Sequence, residues 1–186
     1  MNKIPINIVI GRFQPFTNGH MKCIDEAYKK FKVPTIICLI DTPETKVDKR
    51  HPFSTDILLP IYKELAKDYK NIIDIITVKN ADIVKIGEVV NDKYIIRSWT
   101  CGTDRIDSYT KMSNDYKEKA GLADDFEMIE VKRGDEDVSA TKAREALING
   151  DVKTFNALTP YNTLRNHLKE PNRVYNILRE EILKLN

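Results

Sequence analysis

Residues 11–20 read Gly11-Arg12-Phe13-Gln14-Pro15-Phe16-Thr17-Asn18-Gly19-His20, directly after the apolar run Ile6-Asn7-Ile8-Val9-Ile10. That run has the composition of a buried strand. A strand that breaks at Gly11, turns through Pro15 and delivers Thr17 and His20 does more than join two elements. It sets two hydrogen-bonding side chains at the mouth of a sheet, where the next helix starts. Open α/β sheets bind ligands at that edge, and a helix N-terminus there favours phosphate. The chemistry suited to such a segment is the handling of a nucleotide.

Three further segments carry chemistry-bearing residues at expected strand ends or helix starts: Lys49-Arg50-His51-Pro52-Phe53-Ser54, Cys101-Gly102-Thr103-Asp104-Arg105 and Val138-Ser139-Ala140-Thr141-Lys142-Ala143-Arg144. In the last, Ser139 or Thr141 can cap a helix whose first N–H groups point outward and attract an anion. Arg144 lies one turn in, where a guanidinium can fork onto phosphate oxygens. Alone, this is an ordinary cap with a surface arginine. Beside the opening loop, the phosphate reading prevails. Asp41 reads as a turn former and His51 as a solvent-facing loop residue.

The elements that must position these groups alternate. Strands are expected at 6–10, 35–40, 72–78, 93–99 and 126–131, and helices at 21–31, 54–69, 141–148, 152–158 and 173–185. Ser54 is the expected cap of the second helix, and Pro60 its expected kink or break. Residues 41–50 are polar and turn-rich. Continuous apolar strands such as Thr35-Ile36-Ile37-Cys38-Leu39-Ile40 belong to sheets covered on both faces. The order predicts an α/β fold: a Rossmann-like, doubly wound, parallel five-stranded sheet with a helical C-terminal tail. The domain expected is 1–158, with 159–186 a helical extension packed on it.

Composition narrows the class. At 186 residues, 41% hydrophobic and 31% charged, the chain fits one well-buried soluble domain. A net charge of +2, with both signs interspersed, argues against a nucleic-acid or membrane partner. No apolar run approaches a membrane span, and the first residues lack a signal-like core. Cys23, Cys38 and Cys101 form neither a CxxC pair nor a cluster with histidine, so no metal ligands are assigned. They read as reduced thiols of a cytoplasmic protein.

GRFQPFTNGH followed much later by VSATKAR resembles the nucleotidyltransferase superfamily, which has an (H/T)xGH motif early and an ISSTxxR-like motif late. The opening is most similar to archaeal-type nicotinamide mononucleotide adenylyltransferases, whose R-x-P-F segment matches Arg50-His51-Pro52-Phe53. The likeness runs from Ile6 to about Leu158. It implies transfer of AMP from ATP to nicotinamide mononucleotide, forming NAD and pyrophosphate, with Mg²⁺ on the triphosphate. It also implies roles. His20 and Thr17 hold the α- and β-phosphates, and Arg144, Ser139 and Thr141 grip the leaving pyrophosphate. Gly11 and Gly19 admit close backbone approach, with Phe13 and Gln14 in the same loop. Arg12 and Arg50 hold the acceptor phosphate or the triphosphate, and Gly102 and Asp104 edge the adenosine site. Members of this fold commonly assemble, so a homo-oligomer is compatible with it.

Two departures stand out. Thr17 occupies a position held by histidine in the archaeal enzymes, as in phosphopantetheine adenylyltransferases. The segment after the third strand, 81–90, lacks the tryptophan those enzymes stack on nicotinamide; Trp99 lies on the fourth strand instead. Other phosphorylated acceptors, and CTP as donor, are the alternatives, although Arg133-Gly134-Asp135-Glu136-Asp137-Val138-Ser139-Ala140-Thr141 fits the R-T-x-G-I-S-T pattern of cytidylyltransferases poorly. A silent nucleotide-binding regulator is the third reading; retention of His20 and Arg144 speaks against it.

Overall fold

The computed structural model describes residues 2–132 and 139–186. Five parallel strands form its centre: β1 (Ile4–Gly11), β2 (Thr35–Ile40), β3 (Ile72–Val78), β4 (Tyr94–Gly102) and β5 (Leu122–Val131). Their order is β3-β2-β1-β4-β5. The chain starts in the middle, winds outward to β3, then crosses back to the other side of β1. The direction of winding reverses between β1 and β4, the switch point at which such sheets open a crevice. This is the doubly wound parallel sheet expected from the sequence.

Side-chain alternation sends each strand's residues to two cores. Val9, Ile37 and Leu39 pack under α1 (Asn18–Phe31) and α2 (Thr55–Asp68), together with α5 (Ser139–Asn149), α6 (Val152–Leu158) and α7 (Arg173–Leu183). Ile6, Ile8, Ile36 and Cys38 face α3 (Ile83–Val90) and α4 (Ile106–Asp115). A polar group sits between the central strands. Asn7, fully buried, donates to Thr35 Oγ1 at 3.0 Å and accepts from Ser98 Oγ at 2.8 Å and Thr100 Oγ1 at 2.9 Å. Its amide links β2, β1 and β4 just below the edge where the motif loops emerge, and the register of β1 on β4 shifts at this residue. Such a group is tolerated in a core because its bonds are made.

The tail joins the first core. Val174, Tyr175, Leu178 and Ile182 pack with Phe16 and Leu147. Arg165, before α7, donates its N–H to Asp68 Oδ2 at 2.8 Å, and Arg173, the first residue of α7, pairs with Glu64, strapping this stretch to α2. Cys23, Cys38 and Cys101 are buried and outside any disulfide. Among the described residues no helix is long and apolar enough to cross a membrane.

The structure corrects several sequence expectations. Helices α3 and α4 were not anticipated. Pro60 does not break α2, which runs from Thr55 to Asp68 around it. Pro60 and Asp56, whose carbonyl loses its helical donor, both lie on the solvent side, where water can satisfy the oxygen. Helix α5 starts at Ser139, so Ser139 and Thr141 lie inside its first turn rather than capping it. Val138 and the rest of 133–138 fall outside the described residues.

Candidate active site

The loop after β1 is buried from Phe13 to Thr17, and its backbone groups are met by side chains from distant elements. Phe13 takes a left-handed conformation at φ 47°. A Cβ at residue 11 would lie 3.1 Å from the Phe13 ring, so glycine lets the ring fold back over the strand end. Tyr62 of α2 accepts the Phe16 N–H at 2.9 Å and donates its hydroxyl to the Phe13 carbonyl. Tyr161 donates to the Phe16 carbonyl at 2.7 Å. Burial pushes both phenols well above their ordinary range, so they remain neutral donors. Gln14 donates to the Phe53 carbonyl at 2.8 Å and accepts the Phe53 N–H at 2.9 Å. Its amide therefore holds the loop after β2 and is not turned on a ligand.

Thr17 is the N-cap of α1, and Gly19 and His20 lie in the first turn. The Thr17 N–H donates to His20 Nδ1 at 3.0 Å. A nitrogen that accepts this bond keeps its lone pair, so the neutral ring carries its proton on Nε2 and donates from there. Phe13 meets the imidazole edge-on at 4.9 Å and Phe16 lies 5.2 Å from it, which fixes the ring plane.

Two motifs separated by more than a hundred residues meet here. Thr17 Oγ1 lies 3.1 Å from Ser139 Oγ. Arg144 donates to the Gln14 carbonyl at 2.7 Å and to Thr141 Oγ1 at 3.3 Å. These partners are neutral oxygens. Burial first, and Arg50 second, lower the Arg144 pKa from its usual value. Cations placed this close favour an anion between them.

A cavity of about 330 Å³ opens beside His20, lined by Gly11, Arg12, Phe13 and His20 from one side and by Asp104, Arg105 and Tyr109 from the other, while Thr141 and Arg144 line a separate cavity of about 190 Å³. Gly102 ends β4, and the Arg105 N–H returns to its carbonyl at 3.1 Å, so the strand-end turn also forms a wall of the cavity. Arg12 donates to Thr42 Oγ1 at 3.1 Å and to the Asp41 carbonyl at 3.4 Å. His51 lines the same cavity rather than pointing away into solvent. Burial, then Arg12, lower its pKa below the ordinary 6.5, with Arg50 and Arg144 adding to the shift against the pull of Asp48. Arg50 is exposed, its N–H held by Asp48 Oδ1 at 2.8 Å. Trp99 is fully buried and stacks on Tyr109 with ring centres 4.2 Å apart, so it is not placed to stack on a ligand.

Lys142 is exposed on the first turn of α5, and His167 accepts the Asn172 N–H at 3.3 Å within the tail. Sequence reasoning missed Tyr62 and Tyr161. Tyr62 lies within the expected second helix and Tyr161 in the stretch between the last two expected helices, where the sequence suggests no role for it; a buried phenol requires a partner, and that requirement is the available signal.

A model of the cytidylyltransferase-like family matches residues 8–146. The chain belongs to the cytidylyltransferase-like family. Membership places it in the nucleotidyltransferase superfamily, as the paired motifs suggested. No curated protein matches its sequence significantly. Among solved structures, this family member is similar to a Plasmodium falciparum nicotinic acid mononucleotide adenylyltransferase complexed with NaAD, at 14% identity and TM-score 0.56, over 94% of this chain and 98% of that one. The same enzyme complexed with APC gives 15% identity and TM-score 0.53 over the same shares. Thermotoga maritima TmcAL bound with alpha-thio ATP gives 14% identity and TM-score 0.56, over 97% of this chain and 56% of that one. At these identities the likeness is one of fold.

Proposed function

We propose that this chain transfers AMP from ATP to the phosphate of a small acceptor, a pyridine mononucleotide, forming NAD or its acid analogue and releasing pyrophosphate. The observation that carries this reading is the junction of the two motifs, with Thr17 on Ser139 and Arg144 on Gln14 beside a cavity holding His20. The family supports nucleotidyl transfer. The names of the solved structures, an adenylyltransferase and a protein bound with an ATP analogue, favour adenylyl transfer.

In this mechanism an oxygen of the acceptor phosphate bonds to the α-phosphorus of ATP. The bond from that phosphorus to the bridging oxygen breaks, and pyrophosphate leaves with the electron pair. The acceptor is already a nucleophile at neutral pH, so the protein supplies alignment and charge stabilisation. His20 Nε2–H and Thr17 hold α- and β-phosphate oxygens. Arg144, Ser139 and Thr141 grip the departing phosphates, Arg12 and Arg50 hold the acceptor phosphate, and Gly102 and Asp104 border the adenosine. Among the described residues no group of three His, Cys, Asp or Glu side chains converges as a metal cage. Mg²⁺ would enter on the triphosphate and keep most of its waters, as this ion commonly does.

The family's description favours one second reading, CTP as donor. The test is pyrophosphate release with Mg²⁺, pairing ATP or CTP with nicotinamide mononucleotide, nicotinic acid mononucleotide, phosphopantetheine and glycerol 3-phosphate. Release with ATP and a pyridine mononucleotide alone supports the proposal. Release with another pair keeps the mechanism and replaces the acceptor or donor. Silence across the panel, with ATP still bound, moves the weight to a regulatory role.

A further inference from the structure

The crevice continues past the nucleotide cavity. A second cavity of about 410 Å³ lies over the loops that follow β2 and β3, and Arg12 and His51 line both. The second cavity alone is lined by Asp41, Asp48, Lys46 and Lys79. Among the described residues its wall has no Trp, Tyr or Phe, and Pro43 is its one aliphatic residue. A ligand there is selected by charge rather than by stacking.

The charges are not equally available. Asp41 Oδ1 accepts the Thr55 hydroxyl at 2.6 Å. Asp48 Oδ1 accepts the N–H groups of Arg50 at 2.8 Å and His51 at 2.7 Å. Both acids thus serve the loop's own donors. Among the described residues Arg12 has no ion pair, and its hydrogen bonds go to a hydroxyl and a carbonyl. The ammonium groups of Lys46 and Lys79 have no ion pair or hydrogen bond among the described residues.

Resting on the nucleotidyl-transfer reading, we propose that this second cavity receives the acceptor, and that the acceptor carries a second anionic group besides its reacting phosphate. The phosphate lies at the shared wall, against Arg12, where it can reach an α-phosphorus held by His20. The second anion lies at Lys46 and Lys79, which border the second cavity only. Of the two pyridine mononucleotides, only the nicotinic acid form has that group, its ring carboxylate. The acid is therefore the better acceptor.

Steady-state pyrophosphate release at saturating ATP, with nicotinic acid and nicotinamide mononucleotides in turn, is measured beside calorimetric binding of each acceptor to the protein loaded with a non-hydrolysable ATP analogue. The expected result is an acid preference of about fivefold, the size two exposed ion pairs supply, shrinking as salt is raised. The double variant Lys46→Ala/Lys79→Ala loses this preference in both assays, and its KM for ATP stays within about twofold. A control, Lys63→Ala/Lys67→Ala on α2, removes the same charge away from both cavities and keeps the preference. Equal binding of the two acceptors by the unsubstituted protein, or a preference untouched by the double variant, overturns the proposal whatever the turnover. Absent turnover with both acceptors, while calorimetry still separates them and the lysine pair still controls the separation, overturns the transfer reading instead.

Discussion

The loop carrying Thr17 and His20 and the loop carrying Arg50 and His51 leave the same edge of the sheet, yet they are held in opposite ways. The first is buried, and its backbone is met by Tyr62, Tyr161 and Arg144, residues 46 to 145 positions away in the chain. The second is anchored from afar at its two ends, by Arg12 at Asp41 and Thr42 and by Gln14 at Phe53, but between them it is exposed from Pro43 to Lys46 and from Asp48 to Arg50, where Asp48 holds it through partners two and three residues away. Long-range support fixes the reacting groups once the whole fold is assembled. Short-range support leaves the exposed middle of the other loop free to vary in sequence without disturbing the core. On the proposed function, the first loop would carry the transfer chemistry and the second the choice of acceptor.

The comparison breaks most sharply at His20. His20→Ala is expected to lower turnover by about 10²–10³-fold, the range for loss of a transition-state donor, with the circular dichroism spectrum retained. Near-normal turnover would remove the first loop from the chemistry. Next in size is Tyr62→Phe, which leaves the Phe16 N–H and Phe13 carbonyl without their shared partner. Urea unfolding should show a loss of about 1–3 kcal/mol, with turnover down about tenfold as the loop loses its alignment. In the second loop, Asp48→Ala should leave the unfolding midpoint in place and raise only the acceptor KM, by about three- to fivefold. An equal loss of stability from Asp48→Ala and Tyr62→Phe would erase the distinction.

The smallest expected effect concerns pH. The folded state holds His51 below its ordinary 6.5, so it favours the neutral ring. Below that pH the unfolded chain takes up a proton that the folded one resists, and stability falls as the medium acidifies. Unfolding measured between about pH 5 and 7 should show this slope, and His51→Gln should reduce it. A slope unchanged by the substitution would mean that neither burial nor the cations around His51 hold it below its ordinary range.

What the sequence disclosed follows from the same physics. Strand Thr35–Ile40 was legible because both faces of the sheet are covered there, so nearly every position is apolar, and the edge strand Ile72–Val78, which buries Ile72 and Ile75, was legible from its β-branched composition. Helix α3 was not: its buried positions Ile83, Ile86, Gly87 and Val90 follow the helical period and Asp82 caps it through the N–H groups of Val84 and Lys85, but it is only eight residues long, rich in β-branched residues and interrupted by a glycine, a composition that does not favour helix. Helix α4 buries just Tyr109 and Ser113, too few positions to set a period. The motif residues were readable by type. Their supports were not, because a tyrosine at a core position does not reveal which backbone group, far away in sequence, it will meet.

The stack of Trp99 on Tyr109 gives the molecule an optical use. It is the only tryptophan in the chain, it lies in dry apolar surroundings, and the ring against it forms part of the cavity wall. Its indole emission is expected at the blue end of the tryptophan range, and a nucleotide that moves Tyr109 will change its intensity. Occupancy can then be titrated on the native chain without a label and without waiting for a reaction to occur.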